Sequence, residues 1–254
     1  VAWLTYADRL YQLPLGVVGI AIGTVLLPDL SRRLRAGDAL GGRASLNRGA
    51  EFAIAMTLPA AVALVVIAEP LCTVLYQRGA FTANDSHATA IVLAIYGAGL
   101  PAFVLHKVLQ PLFYAREDSR RPFTYAVISM ITNALIAIGL LPILGWSAAA
   151  WATTISGWMM VGQLWLGSRR MGPEAHLDAR FLNRLPRIML ASALMGAALY
   201  AGNLMLTPML TVPHWRFLAL GLLISLGIVS YFGTGTALGA FRLSDFADLR
   251  RKRP

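Results

Sequence analysis

Asp8 and Arg9 stand side by side at the head of an otherwise apolar run, "TYADRLYQLPLGVVGIAIGTVLLPDLSRRLR", and His106 and Lys107 stand together inside another. A charge at the centre of a bilayer costs ~2.5–3.5 kcal/mol on insertion scales, so such residues usually face a water-filled cavity or a partner. Asp8 and Arg9 are the first candidates for such a cavity, and a basic leading candidate favours an anionic substrate. Lys107 offers a second cation. The competing reading for both is anchoring. At about 1.5 Å per residue, Arg9 lies ~35 Å along a straight helix from Arg32, where it can snorkel to head groups.

Covalent chemistry finds little support. The four histidines (His87, His106, His176 and His214) are scattered, and no HExxH, GxSxG or P-loop pattern occurs. The acidic residues form no magnesium-binding cluster, and the single cysteine, Cys72, is expected to be buried and free. "GTGTALG" (Gly233 to Gly239) looks like a phosphate loop but lies in an apolar run, where close helix packing is the expectation. No catalytic residue, cofactor or metal site is predicted. Asn133 and Thr153 are polar residues within apolar runs and read as interhelical hydrogen-bond partners. Glu51, one turn after Arg48, reads as an interfacial residue paired with an arginine.

The elements that must position these residues follow from composition. Of 254 residues, 57% are hydrophobic and 13% charged, against about 25% charged in soluble domains. Apolar runs near 20 residues long, enough to cross ~30 Å of hydrocarbon, recur at 10–31, 47–68, 85–114, 122–142, 146–168, 186–207 and 215–240. The fold class is all-α, a polytopic membrane bundle of seven helices, since lipid forbids open sheet edges. Pro14, Gly16, Gly19 and Gly23 interrupt the first run. Proline removes a backbone hydrogen bond, and broken helices line transporter sites, so these four residues read as a hinge. "LCTVLYQRGAF" reads as a short interfacial helix, and Asn84-Asp85-Ser86 as the cap of the run that follows.

Net charge is +10, and eighteen of the 22 basic residues fall in alternate breaks: 32–48, 116–121, 169–187 and the tail from Arg242. The other breaks hold only Arg78 and Arg216. By the positive-inside rule the C-terminus is cytoplasmic and the N-terminus of this chain external. The surplus charge meets anionic lipid head groups, and nucleic acid is not required. The opening "VAWLTYADR" has no initiator Met, so a piece of a longer protein is expected.

Three stretches then carry a resemblance. "YADRLYQLPLGVVGIAIGTVLLPDLS", the segment Met56 to Leu64 ("MTLPAAVAL") and "KVLQPLFYAREDSRRP" (Lys107 to Pro122) resemble, in order and spacing, the MurJ (MviN) family of lipid II flippases. The resemblance runs from Tyr6 to about Gly172. It implies the multidrug/oligosaccharidyl-lipid/polysaccharide exporter fold, in which two six-helix lobes face one another across a cavity and two helices follow. This chain would be the C-terminal half, with most of the second lobe in 1–172 and the two extra helices and a basic cytoplasmic tail in 173–254. The partner would be lipid II, in the bacterial cytoplasmic membrane. Its pyrophosphate would be held by cavity arginines, Arg9 among them, through a guanidinium fork that suits phosphate oxygens and that Asp8 would orient or balance, with the partner arginines on a missing N-terminal lobe. Asn133 and Thr153 match two side-chain ligands of the family's sodium site, yet the carboxylate expected one turn after the asparagine is Ala137. A hard cation wants anionic oxygens, so the coupling ion stays open among sodium, protons and membrane potential. The alternatives are an exporter of another polyprenyl-linked oligosaccharide or of drugs, and a membrane enzyme acting on polyprenyl phosphates.

Overall fold

Each apolar run bounded by Gly, Asp, Ser and Arg clusters forms a helix. The computed structural model describes residues 2–240 apart from 170, 173, 174, 211 and 213, and leaves out the side chains of residues 25–27. Arg170 and the basic tail from Arg242 lie outside the described residues. Within them run α1 (Ala2–Ala21), a π turn (Ile22–Leu26) and α2 (Leu27–Arg35) as one continuous rod, then α3 (Ala39–Val66), α4 (Ala68–Tyr76) and α5 (Ala83–Tyr114). They continue with α6 (Arg120–Leu144), α7 (Ala148–Ser168), α8 (Ala179–Leu210) and α9 (Arg216–Ala237). Six continuous helical stretches are long and apolar enough to cross a membrane; one of them, Arg120–Ser168, is the α6–α7 hairpin, which makes seven crossing helices. The hairpin turns at Gly145, whose φ of +55° suits a residue without a Cβ.

Helix α5 is the axis of the bundle, packed by α1, α3, α4 and α7. Helix α8 packs on α3 and α9, and α6 joins the bundle mainly through α7. Lipid tails are as apolar as leucine, so contact between crossing helices comes from close fit rather than from escape from water. The Phe103 ring shows this fit. A Cβ built at Gly99 or at Gly157 would stand 2.8 Å from it, so two glycines on adjoining helices make its slot.

Two local expectations shift. The cap of α5 is Thr82, not Asn84-Asp85-Ser86. Thr82 accepts from the Asp85 amide at 3.3 Å, and its own amide donates to the Asp85 carboxylate at 2.8 Å, a reciprocal box. The glycine run near the end of α9 only partly packs. Gly235 is buried in the helix, but Gly239 lies beyond it at φ +68°, where the Ala240 amide donates to the Gly235 carbonyl at 2.8 Å and closes the helix end. The short helix expected in the 69–87 loop is α4, starting a little earlier than read.

The breaks sort to opposite ends of the bundle. Arg43 donates to the carbonyls of His176 (3.1 Å) and Leu177 (2.6 Å), joining the start of α3 to the α7–α8 connector. Arg121 and Arg169 line one cavity at the mouth of the α6–α7 hairpin. At the other end Arg216 donates to the Gln77 carbonyl at 3.3 Å, joining α9 to α4.

Candidate binding face on the first helix

Helix α1 has two faces. Ala7 and Val18 are buried against the bundle, with Ile22 continuing that side into the π turn. Ala2, Thr5, Tyr6, Arg9, Gln12, Leu13, Gly16, Val17, Ile20, Gly23 and Thr24 are exposed. That spacing of three and four makes one continuous stripe along the rod. Arg9 sits on the stripe, below an aromatic cluster in which Tyr6 packs on Tyr76 (centroids 4.9 Å) and on Phe81 (5.1 Å). Sequence reasoning missed this cluster because two of its rings come from the 69–87 loop.

Asp8 is half-buried and accepts from the Gln12 side chain one turn on; among the described residues no ion pair joins it to Arg9. Neighbours in sequence project about 100° apart on a helix, so adjacency does not make a pair. Lys107 lies on α5 and reaches toward α1, where a Cβ at Gly19 would stand 3.3 Å from its Nζ. Along α1 that contact is about 15 Å from Arg9 at the helical rise. The structure thus places two cations at different depths beside one helix rather than in one cluster.

The four residues read as a hinge divide. Pro14 lies inside α1, and Gly19 faces Lys107. Gly16 and Gly23 look into open space, with nothing within 4 Å of an added Cβ. The irregularity itself is the π turn, which contains Gly23. Such turns loosen the backbone ladder and often mark functional positions. Here the Thr24 hydroxyl donates to the Ile20 carbonyl at 2.9 Å and satisfies one acceptor.

Asn133 and Thr153 do meet, across the α6–α7 interface. Asn133 Nδ2 donates to Thr153 Oγ1 at 3.4 Å and to Ser156 Oγ at 3.2 Å, and Thr153 Oγ1 donates to the Ala149 carbonyl at 2.9 Å. Ser156 was not singled out from sequence, although its position three residues after Thr153 puts it on the same face. The cluster has hydroxyls and amides but no carboxylate, and it works as hydrogen-bonding between helices. Among the described residues no group of three or more His, Cys, Asp or Glu is placed to hold a metal.

The densest charge lies elsewhere. Glu51 is buried and pairs with Arg48 and Arg184, with Arg180 at 3.6 Å; Arg48 also pairs with Asp178. Asn47 donates to the His176 carbonyl at 3.0 Å and accepts from the Asp178 amide at 2.9 Å. The expected pairing of Glu51 with a neighbouring arginine is therefore part of a larger network that fastens α3 to the start of α8. Cys72 is free and buried in α4; burial and, secondarily, Glu69 push its thiol up to about 12.

Crossing helices gathered on α5, with cations beside a broken lead helix, define a polytopic all-helical membrane protein. The family model described as lipid II flippase MurJ matches residues 1–225. A probable lipid II flippase MurJ of Rhizobium tropici is 40% identical over all of this chain and 48% of its own length. Counterparts of Rhizobium meliloti and Vibrio cholerae are 42% and 35% identical, each over 96% of this chain and 46% of their own length. The chain belongs to the lipid II flippase MurJ family, whose members are named for transport and not for catalysis. It spans about half the length of the curated relatives it matches.

Proposed function

We propose that this chain is the C-terminal half of a flippase that moves lipid II across the bacterial cytoplasmic membrane. Residues 1–172 contribute most of one transport lobe, and residues 173–254 the two following helices and a cytoplasmic tail. One observation carries the reading: Arg9 sits on the open stripe of a broken crossing helix while its neighbouring carboxylate is engaged by Gln12. A guanidinium so placed is available to a pyrophosphate, and in a partly desolvated cavity the attraction exceeds its value in water. Lys107 offers a second cation at another depth, so the head group can pass from one to the other. The polyprenyl tail has an apolar trough of about 210 Å³ between α3, α8 and α9, lined by Ala60, Ala63, Met195, Leu199, Ile224 and Ile228. Rocking about the Pro14–Gly23 segment then exposes the cavity to each side in turn. One turn after Asn133 stands Ala137, where a carboxylate would be wanted, which argues against tight sodium binding there.

The test uses the full-length protein in cells that depend on it. Lipid II accessible from outside is measured for Arg9→Ala and Arg9→Lys variants at matched membrane abundance. Exposure should fall about 10- to 100-fold in Arg9→Ala, the worth of a charge-assisted bond to phosphate, with weak rescue by lysine. Normal exposure in both variants removes Arg9 from the site.

A further inference from the structure

Two arginines break the charge asymmetry of the breaks. Arg78 and Arg216 stand at the end of the bundle where the sequence places few positive charges. Arg78 is exposed and donates to the nearby Leu75 carbonyl at 3.0 Å. Arg216 differs. It starts α9, lies over the Phe217 ring (5.2 Å to the centroid) and donates through Nη1 to the Gln77 carbonyl. Its Nε is buried and has no hydrogen-bond partner among the described residues. Among the described residues only Nη1 is engaged, so the part of the guanidinium that lines the neighbouring cavity keeps donors for a partner from outside the chain.

Arg216 opens on a cavity of about 530 Å³ between α4, α8 and α9. Gln77, Asn203 and Thr207 bring amides and a hydroxyl to it, and Glu69 a carboxylate. The Asn203 side chain makes no hydrogen bond among the described residues. Two of these helices, α8 and α9, also line the apolar trough farther into the bundle, there with α3 in place of α4. Met195 lies about 12 Å from Asn203 along α8, and Ile224 the same distance from Arg216 along α9. A cation with amides at one end and an apolar trough about 12 Å deeper suit an amphiphile.

We propose that this groove binds a membrane amphiphile with a phosphate-ester head group. The Arg216 guanidinium donates to one phosphate oxygen and the Asn203 amide to another, while a hydrocarbon chain lies against Met195, Leu199 and Ile224. Glu69, which also lies 3.3 Å from His87 Nδ1, favours a head group that carries an ammonium. The head-group site stands apart from Arg9 and is independent of the transport reading, with which it shares only the trough given there to the polyprenyl tail. Bulk phospholipid and polyprenyl pyrophosphate share this chemistry.

Native mass spectrometry of the full-length protein tests it, with dioleoyl phosphatidylethanolamine, dioleoylglycerol and undecaprenyl pyrophosphate as probes. The phosphatidylethanolamine should bind more tightly than dioleoylglycerol. Arg216→Gln should weaken it about tenfold, and Asn203→Leu about threefold. Arg216→Gln also cuts the tie to Gln77, whereas Asn203→Leu leaves that tie intact and separates ligand binding from helix fastening. Displacement of the phosphatidylethanolamine by undecaprenyl pyrophosphate at equal concentration, sensitive to the same variants, identifies the polyprenyl lipid as the occupant; its absence identifies phospholipid. Equal binding of dioleoylglycerol, or wild-type affinity in whichever variants fold, overturns the site.

Discussion

The start of α3, with Arg43, Asn47, Arg48 and Glu51, and the head of α1, with Asp8 and Arg9, use the same residue types to opposite ends. In the first region the charges shown are met. Glu51 takes three arginines, Arg48 takes two carboxylates, and Arg43 and Asn47 take the carbonyls of a connector some 130 positions away. In the second, Asp8 is satisfied by Gln12 and Arg9 is left on an open stripe. Buried charges without partners cost several kcal/mol, which is why the first network is complete. An exposed position relieves that requirement, so partnering, rather than residue type, separates the fastening charges from the open one.

Breaking the network at its centre should give the largest effect. Glu51→Gln in the full-length protein should lower stability by about 3–5 kcal/mol, the cost of removing one member of a buried ion cluster. The single cysteine reports it: Cys72 is buried, and its alkylation rate should rise with the opening of the bundle. Transport per folded molecule should stay normal. A variant that melts like the wild type but fails to transport would erase the contrast between the two regions.

A smaller effect is expected from Lys107→Met. It removes a membrane-embedded cation that has no ion-pair partner among the described residues, so thermal stability should hold or rise slightly. Lipid II exposure should fall about tenfold, with partial recovery in Lys107→Arg. A large loss of stability with unchanged transport per molecule would move Lys107 into the fastening class. Asn133→Ala should cost only about 0.6–1.7 kcal/mol, typical of hydrogen bonds between crossing helices. If that variant instead shifts the sodium dependence of transport while its stability is unchanged, the cluster is an ion site after all.

The smallest change is Gly23→Ala. Nothing lies within 4 Å of the added methyl group, so helix propensity alone should add about 0.5–1 kcal/mol to stability. Transport should slow if the π turn must flex. Unchanged transport would place the flexing elsewhere in the rod.

The sequence showed the crossing helices plainly, because an apolar run of about 20 residues needs only local information to be recognised. It also showed α4 and the pairing of Glu51. It misled where a nearer partner competed: Asp8 stands beside Arg9, yet Gln12 at the helical spacing takes the hydrogen bond. The cap residue is Thr82, just before the expected Asn84-Asp85-Ser86 region, because Thr82 and Asp85 satisfy each other. The Arg48–Asp178 pair and the Arg43 contacts were not readable, since they depend on which breaks meet in space. The same is true of the trough, which three separated helices line.

The π turn carries a geometric consequence for the rod it interrupts. Each residue of an α-helix advances the chain by about 100° around its axis, so a turn closed five residues apart holds a phase lag of roughly one residue. Below it, α2 is clamped by Asp29, which takes Arg32, Arg33 and the Ser45 hydroxyl of α3. Tightening the turn to α-helical winding would therefore twist α1 by about that angle over a stationary α2. Arg9 would then stand on a different side of the rod without a break in it, a screw motion built into one helix.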